Sequence, residues 1–151
     1  MSLPDWLKFG WLKEHKTSPQ EIADLLAVAD RDLKACQTPA LVADWKFAIA
    51  YNAALQLAAA ALAASGYEAE RGNHHYRVIQ SLEFTLGPEA AAIRKFDVFR
   101  KKRNLTDYER ADTISDTEAR EMRDLAKMLR HRVEAWLRAN HPRLLPPASD
   151  R

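Results

Sequence analysis

The chain has 151 residues, 47% of them hydrophobic and 29% charged, with a formal net charge of +2. That is the composition of one ordinary globular domain, long enough to bury about 68–70% of the surface its unfolded form exposes; it excludes disorder except at the ends, and a globally basic nucleic-acid binder. Cys36 is the single cysteine, which excludes a disulfide framework within the chain and any cysteine-based zinc site, and fits a reducing, cytoplasmic compartment.

Met1 to Lys16 interleaves Trp6, Leu7, Phe9, Trp11 and Leu12 with charges, so it lacks the continuous apolar core of a signal peptide and reads as a short N-terminal helix. Ser18-Pro19-Gln20-Glu21 combines an N-cap serine, a proline at the first helical position and a glutamate three residues after the cap. It opens a helix predicted over Pro19 to Cys36, with Ile22, Leu25, Leu26 and Leu33 on its apolar face. Thr38-Pro39 is predicted to start a long helix that runs to Ala64 and stops at Ser65-Gly66. Its apolar surface extends nearly all round, as in a central buried helix. Phe47 to Ala64 is mostly alanine and includes Tyr51, Asn52 and Gln56, short of the ~20 strongly apolar residues of a membrane span.

Asn73 can cap a third helix in which His75, Ile79, Leu82 and Leu86 share a stripe, and Gly87-Pro88 ends it and begins a fourth that runs past Arg103. Ser115-Asp116-Thr117-Glu118 is a second capping box, opening a last helix striped by Met122, Ala126, Leu129, Val133 and Trp136 and closed by Asn140-His141-Pro142. The tail, residues 143–151, is rich in proline and charge. No strand pattern, repeat or linker is visible. The expected fold is therefore all-α: one domain over residues 1–142, an up-and-down bundle of four main antiparallel helices plus the short N-terminal helix.

The fourth helix carries the sharpest candidate chemistry. Arg94 to Arg103 holds six basic residues against one acidic, so positive charge is local. Ile93, Phe96, Arg100, Arg103 and Asp107 fall on one face at helical spacing, and the line that begins on the core continues into guanidinium and carboxylate. The planar fork of Arg103 suits phosphate oxygens, Asn104 can hydrogen-bond a base or backbone, and the Tyr108 hydroxyl can donate or accept. The plainer alternative is an exposed Arg103–Asp107 pair worth about 0.3 kcal/mol, with Tyr108 packed on a neighbour.

His74 and His75 point about 100° apart on a helix and have no carboxylate or cysteine at i+3 or i+4, which argues against a metal site. His75 sits on an apolar stripe, where a buried, hydrogen-bonded histidine is the plain reading; His74 could reach a cleft. Tyr51, Asn52 and Gln56 in the central helix need partners across the bundle or across a dimer interface, or else a half-exposed edge. Trp6, Trp11, Trp45 and Trp136 are expected in the core. There is no glycine-rich phosphate loop, nucleophilic serine elbow or zinc-protease helix, and no cofactor is expected.

Taken together, Ala50-Tyr51-Asn52-Ala53-Ala54, the run from Ala61 to Gly66-Tyr67, His74 or His75 before the Ile79–Leu86 helix, and Arg100-Lys101-Lys102-Arg103-Asn104 with Tyr108 resemble the HEPN superfamily over roughly residues 20–138. The resemblance implies an all-helical up-and-down bundle, usually a homodimer, in which the arginine-bearing segments of two protomers form a shared cleft. Many members are metal-independent ribonucleases of toxin–antitoxin and defence systems, and others are non-catalytic partners of nucleotidyltransferases. Arg103 and Asn104 match the start of the family's catalytic pattern; if the chain cleaves, His74 or His75 is the expected proton carrier, with Arg100, Lys102, Asp107 and Tyr108 toward an RNA or nucleotide substrate. The chain departs from the family pattern in one respect. The histidine expected four to six residues after the arginine would fall at Tyr108, Glu109 or Arg110, so the imidazole must come from an adjacent helix or the site binds without cutting. The rival reading is a non-enzymatic interaction module or accessory subunit, for instance the partner of an antitoxin or nucleotidyltransferase, whose polar stripe is a protein interface.

Overall fold

The computed structural model describes residues 1–87, 90–108 and 114–146, with the side chains of residues 105–108 outside that description. Its elements follow in the order α1 (Leu3–Lys8), β1 (Leu12–Glu14), α2 (Pro19–Ala35), α3 (Ala43–Ala64), β2 (Tyr67–Ala69), α4 (His74–Gln80), α5 (Leu82–Thr85), α6 (Ala90–Tyr108) and α7 (Asp116–Asn140), then a 3₁₀ turn at Pro142–Leu144. The protein is mostly helical, as expected.

Two of the predicted N-caps, Ser18 and Ser115, are in place. Ser18 Oγ accepts from the Glu21 amide at 3.1 Å. Ser115 and Glu118 close a reciprocal capping box, each side chain accepting from the other's backbone N–H at 3.0 Å. Each satisfies helix-start donors that would otherwise face water or nothing.

Helix α3 is the axis of the fold. It packs against α2, α4, α5, α6, α7 and β2, and most of its residues from Phe47 to Ala64 are buried. Its alanines let α2 and α7 approach closely, while Phe47, Tyr51, Leu57 and Leu62 supply bulk. Contrary to the sequence reading, α3 is long and apolar enough to cross a membrane by length and composition, but 67% of its most apolar window is buried inside the fold.

Four expectations are corrected. The long helix starts at Ala43 rather than Thr38, because Thr38 to Leu41 form a turn closed by the Leu41 amide on the Thr38 carbonyl at 3.2 Å. The third helix is broken at Ser81, whose hydroxyl bonds back to the Val78 carbonyl at 2.7 Å and competes with the helical ladder, separating α4 from α5. Asn73 precedes α4 in the left-handed region (φ 55°) and makes no side-chain cap. Trp45 is 63% exposed rather than core.

A small antiparallel sheet also forms where no strand was expected. Leu12, Lys13 and Glu14 pair with Ala69, Glu68 and Tyr67. Three residues are too few to show a period of two. Its position depends on Gly66, whose φ of +98° turns the chain out of α3, a conformation that suits a residue without Cβ. Beside the sheet, the Arg77 guanidinium of α4 lies 3.6 Å from the centre of the Trp11 ring, fastening the N-terminal segment to the helices.

The polar residues of α3 find partners within the chain. Asn52 Nδ2 donates to the buried Asp32 of α2 at 2.7 Å, Arg31 Nε donates to the other Asp32 oxygen at 3.0 Å, and Gln56 Nε2 reaches Asn52 Oδ1 at 3.3 Å. A carboxylate taken out of water requires such partners.

Candidate functional site

The inward line on α6 leads to a polar cluster shared by α3, α4 and α6. Ile93 and Phe96 are buried, and Phe96 stacks edge-on against Tyr51 with ring centres 5.7 Å apart. One and two turns further on, Arg100 and Arg103 keep the same heading and are only partly exposed. The Arg103 guanidinium lies over the Tyr51 ring at 5.2 Å, a cation–π placement favoured by the ring's negative face. Tyr51 itself is 1% exposed, and its hydroxyl is 3.3 Å from Nδ1 of His75.

Arg103 and His75, on separate helices and 28 positions apart in the chain, are thus brought to one buried tyrosine, the first over its ring and the second at its hydroxyl. His75 lies on the half-buried side of α4, and His74 faces away from the cluster and is exposed, with the two rings 5.9 Å apart.

The electrostatics follow from burial among cations. Desolvation, then the charges of His74, Arg103 and Arg100, hold the His75 imidazole below its ordinary pKa, so its neutral form is favoured. Desolvation pushes the Tyr51 phenol up to about 12, with Arg103 and Arg100 pulling in the opposite direction. Tyr51 therefore remains a neutral hydroxyl at physiological pH. When its oxygen accepts from Nδ1–H, the His75 Nε2 is left as an acceptor.

The other predicted residues divide. Arg100 is held within the chain: its Nε donates to Asp97 at 2.8 Å and its guanidinium lies 5.4 Å from the Tyr76 ring. Lys102 pairs with Glu118, linking α6 to the capping box of α7. Those contacts give both cations structural work. Asn104 is exposed beside Arg103. The side chains of Asp107 and Tyr108 lie outside the described residues, and so does the proposed Arg103–Asp107 pair.

Sequence reasoning left Tyr51, Asp97 and Tyr76 out of the site. Tyr51 had a signal, a polar atom in an otherwise apolar helix that needs a partner. Asp97 had the i, i+3 spacing to Arg100. Tyr76 had none, since its role depends on how α4 meets α6. Among the described residues, no group of three or more His, Cys, Asp or Glu side chains is placed to hold a metal ion. Comparison with protein-family models, curated proteins and solved structures finds no match to this chain.

Proposed function

We propose that the Arg103–Tyr51–His75 cluster is a phosphate-binding site for RNA or a nucleotide in a HEPN-like up-and-down bundle. Two chains bring their α6 helices together there, as in a ribonuclease of a toxin–antitoxin or defence system. The observation that carries this reading is the approach of His75 to Arg103 through Tyr51, at 3.3 Å and 5.2 Å. It supplies from α4 the imidazole that the sequence lacks after Arg103. The exposed Asn104, with Val98 57% exposed on the same helix and Trp45 63% exposed at the start of α3, supports a second chain at this end.

In the catalytic form of this reading, neutral His75 accepts the proton of a ribose 2′-hydroxyl as that oxygen attacks phosphorus. The bond to the 5′-oxygen breaks and that oxygen takes a proton from water, giving a 2′,3′-cyclic phosphate and a 5′-hydroxyl end, while His75 later releases its proton to solvent. Arg103 stabilises the charge gathered on the phosphoryl oxygens, and Asn104 orients the phosphate. A general base contributes about 10²–10⁴-fold and one electrostatic donor about 10²–10³-fold. Incubating the protein with mixed-sequence RNA in EDTA tests this. Cleavage should fall by at least about a hundredfold in both Arg103→Ala and His75→Ala. Cleavage that survives Arg103→Ala unchanged removes the mechanism.

The interaction-module reading draws on the same exposed Trp45 and Val98. Under it, Trp45→Lys disperses a dimer or complex in sedimentation while the wild type shows no salt-sensitive affinity for RNA. Phosphate binding instead weakens steeply with salt, because each neutralised phosphate releases counterions.

A further inference from the structure

A cavity that does not include Arg103 or His75 in its lining lies between α2, α3, α4 and β2. Its volume is about 160 Å³, well above the roughly 10–15 Å³ one water needs. The floor is apolar: Leu25, Leu62 and Val78 line it beside Ala59, Ala63 and Ala69. The alanines create the space, since longer side chains at those positions would fill it.

The rim has the opposite character. Glu21, Glu68, His15, His74 and Tyr67 line it, and among the described residues no lysine or arginine does. Thr17 Oγ1 and the His15 ring both meet Glu21 Oε1, at 2.6 and 2.7 Å, so Glu21 Oε2 has no hydrogen bond among the described residues. Glu68 is tied outward to Lys13 at 3.0 Å and inward to His15 Nδ1 at 3.5 Å. The Thr17 bond is the largest cause holding the Glu21 carboxyl below its ordinary range, with burial opposing it and His15 assisting, so it is ionised at neutral pH. The two carboxylates, Glu21 with one oxygen open and Glu68 bound to Lys13, give the mouth an acceptor-rich character over an apolar floor. The His15 amide, bonded to the Gly66 carbonyl at 2.9 Å, holds this rim against the sheet.

We propose that this cavity binds a small organic cation, an ammonium group on a compact apolar body, with the ammonium donating to Glu21 and the body lying on the alanine floor. A carboxylate with an open oxygen rewards a donor, and the lining favours a ligand that combines one positive charge with apolar surface. An anion meets two carboxylates at the mouth. The site is separate from the phosphate-binding proposal, although α4 contributes to both, His74 here and His75 there.

Titrating the intact chain by NMR and calorimetry with benzylamine, benzyl alcohol and benzoate tests the idea, because the three share a ring and differ in charge. Benzylamine should saturate in the millimolar range or tighter, perturbing resonances of Ala59, Ala63 and Val78, and benzyl alcohol should bind at least about tenfold more weakly. Benzoate should not saturate. Glu21→Gln should lower benzylamine affinity about tenfold, and Ala59→Met should abolish it while keeping every charge, with circular dichroism verifying the fold. Equal binding of amine and alcohol, no saturation by benzylamine up to about 10 mM, or undiminished binding by folded Ala59→Met would each overturn the proposal.

Discussion

Replacing Tyr51 by phenylalanine removes one oxygen from the centre of the candidate site and leaves the ring. The ring's contacts with Phe96 at 5.7 Å and the Arg103 guanidinium at 5.2 Å persist. What is lost is the hydroxyl bond to His75, which at 3.3 Å is long for an oxygen donor or acceptor. An ordinary bond contributes about 0.5–1.5 kcal/mol net, so this one belongs in the lower half of that range. For a chain of this size that is a fall of roughly 1–4 °C in Tm. Tyr51→Ala deletes the ring as well, at a side chain 1% exposed, and should cost about 3–5 kcal/mol by comparison with other large aromatic truncations. Urea unfolding of both variants measures the difference, and ¹⁵N NMR of the His75 ring reports its tautomer. The expected result is a small stability loss in Tyr51→Phe with a changed His75 ring signal and an unchanged His131 signal. If the phenylalanine variant is as stable as the wild type and the His75 signal does not respond, the hydroxyl does not hold the imidazole and the cluster is packing alone; a phenylalanine variant as unstable as the alanine one would overturn the division between ring and hydroxyl.

Stability should also depend on pH through His75. Its folded pKa lies below the ordinary 6.5, mainly because burial disfavours the charged ring, so between the two values the unfolded chain binds more protons. Stability is therefore fully present above 6.5 and lost as pH falls from 6.5 through the folded pKa. Between about pH 5 and 6.5, above the carboxylate range, the fall should be shallower in His75→Gln; equal slopes would mean another group governs it. Asp32→Ala should cost about 1–3 kcal/mol by leaving the Asn52 amide without its acceptor, and the double variant with Asn52→Ala should fall short of the sum by about 0.5 kcal/mol or more. Strict additivity in chemical denaturation would show that the 2.7 Å contact carries no energy.

The helices of this protein and several of their limits were legible because they depend on local chemistry. Serine caps at Ser18 and Ser115, glycines at Gly66 and Gly87, and apolar spacing act over a few residues, and the chain obeys them wherever they are strong. The inward heading of Arg100 and Arg103 was legible for the same reason, being a matter of 3.6-residue geometry continued from Ile93 and Phe96. Tertiary packing decided the rest. Strands of three residues exist only because Leu12 to Glu14 and Tyr67 to Ala69 are brought side by side. The exposure of Trp45 reflects which face of α3 its neighbours leave uncovered, and composition carries no record of that. The partner of Arg103 was equally invisible along the chain: cation–π contact and hydrogen bonding act over a few ångströms in space, and only the meeting of α3, α4 and α6 places Tyr51 between a guanidinium and an imidazole.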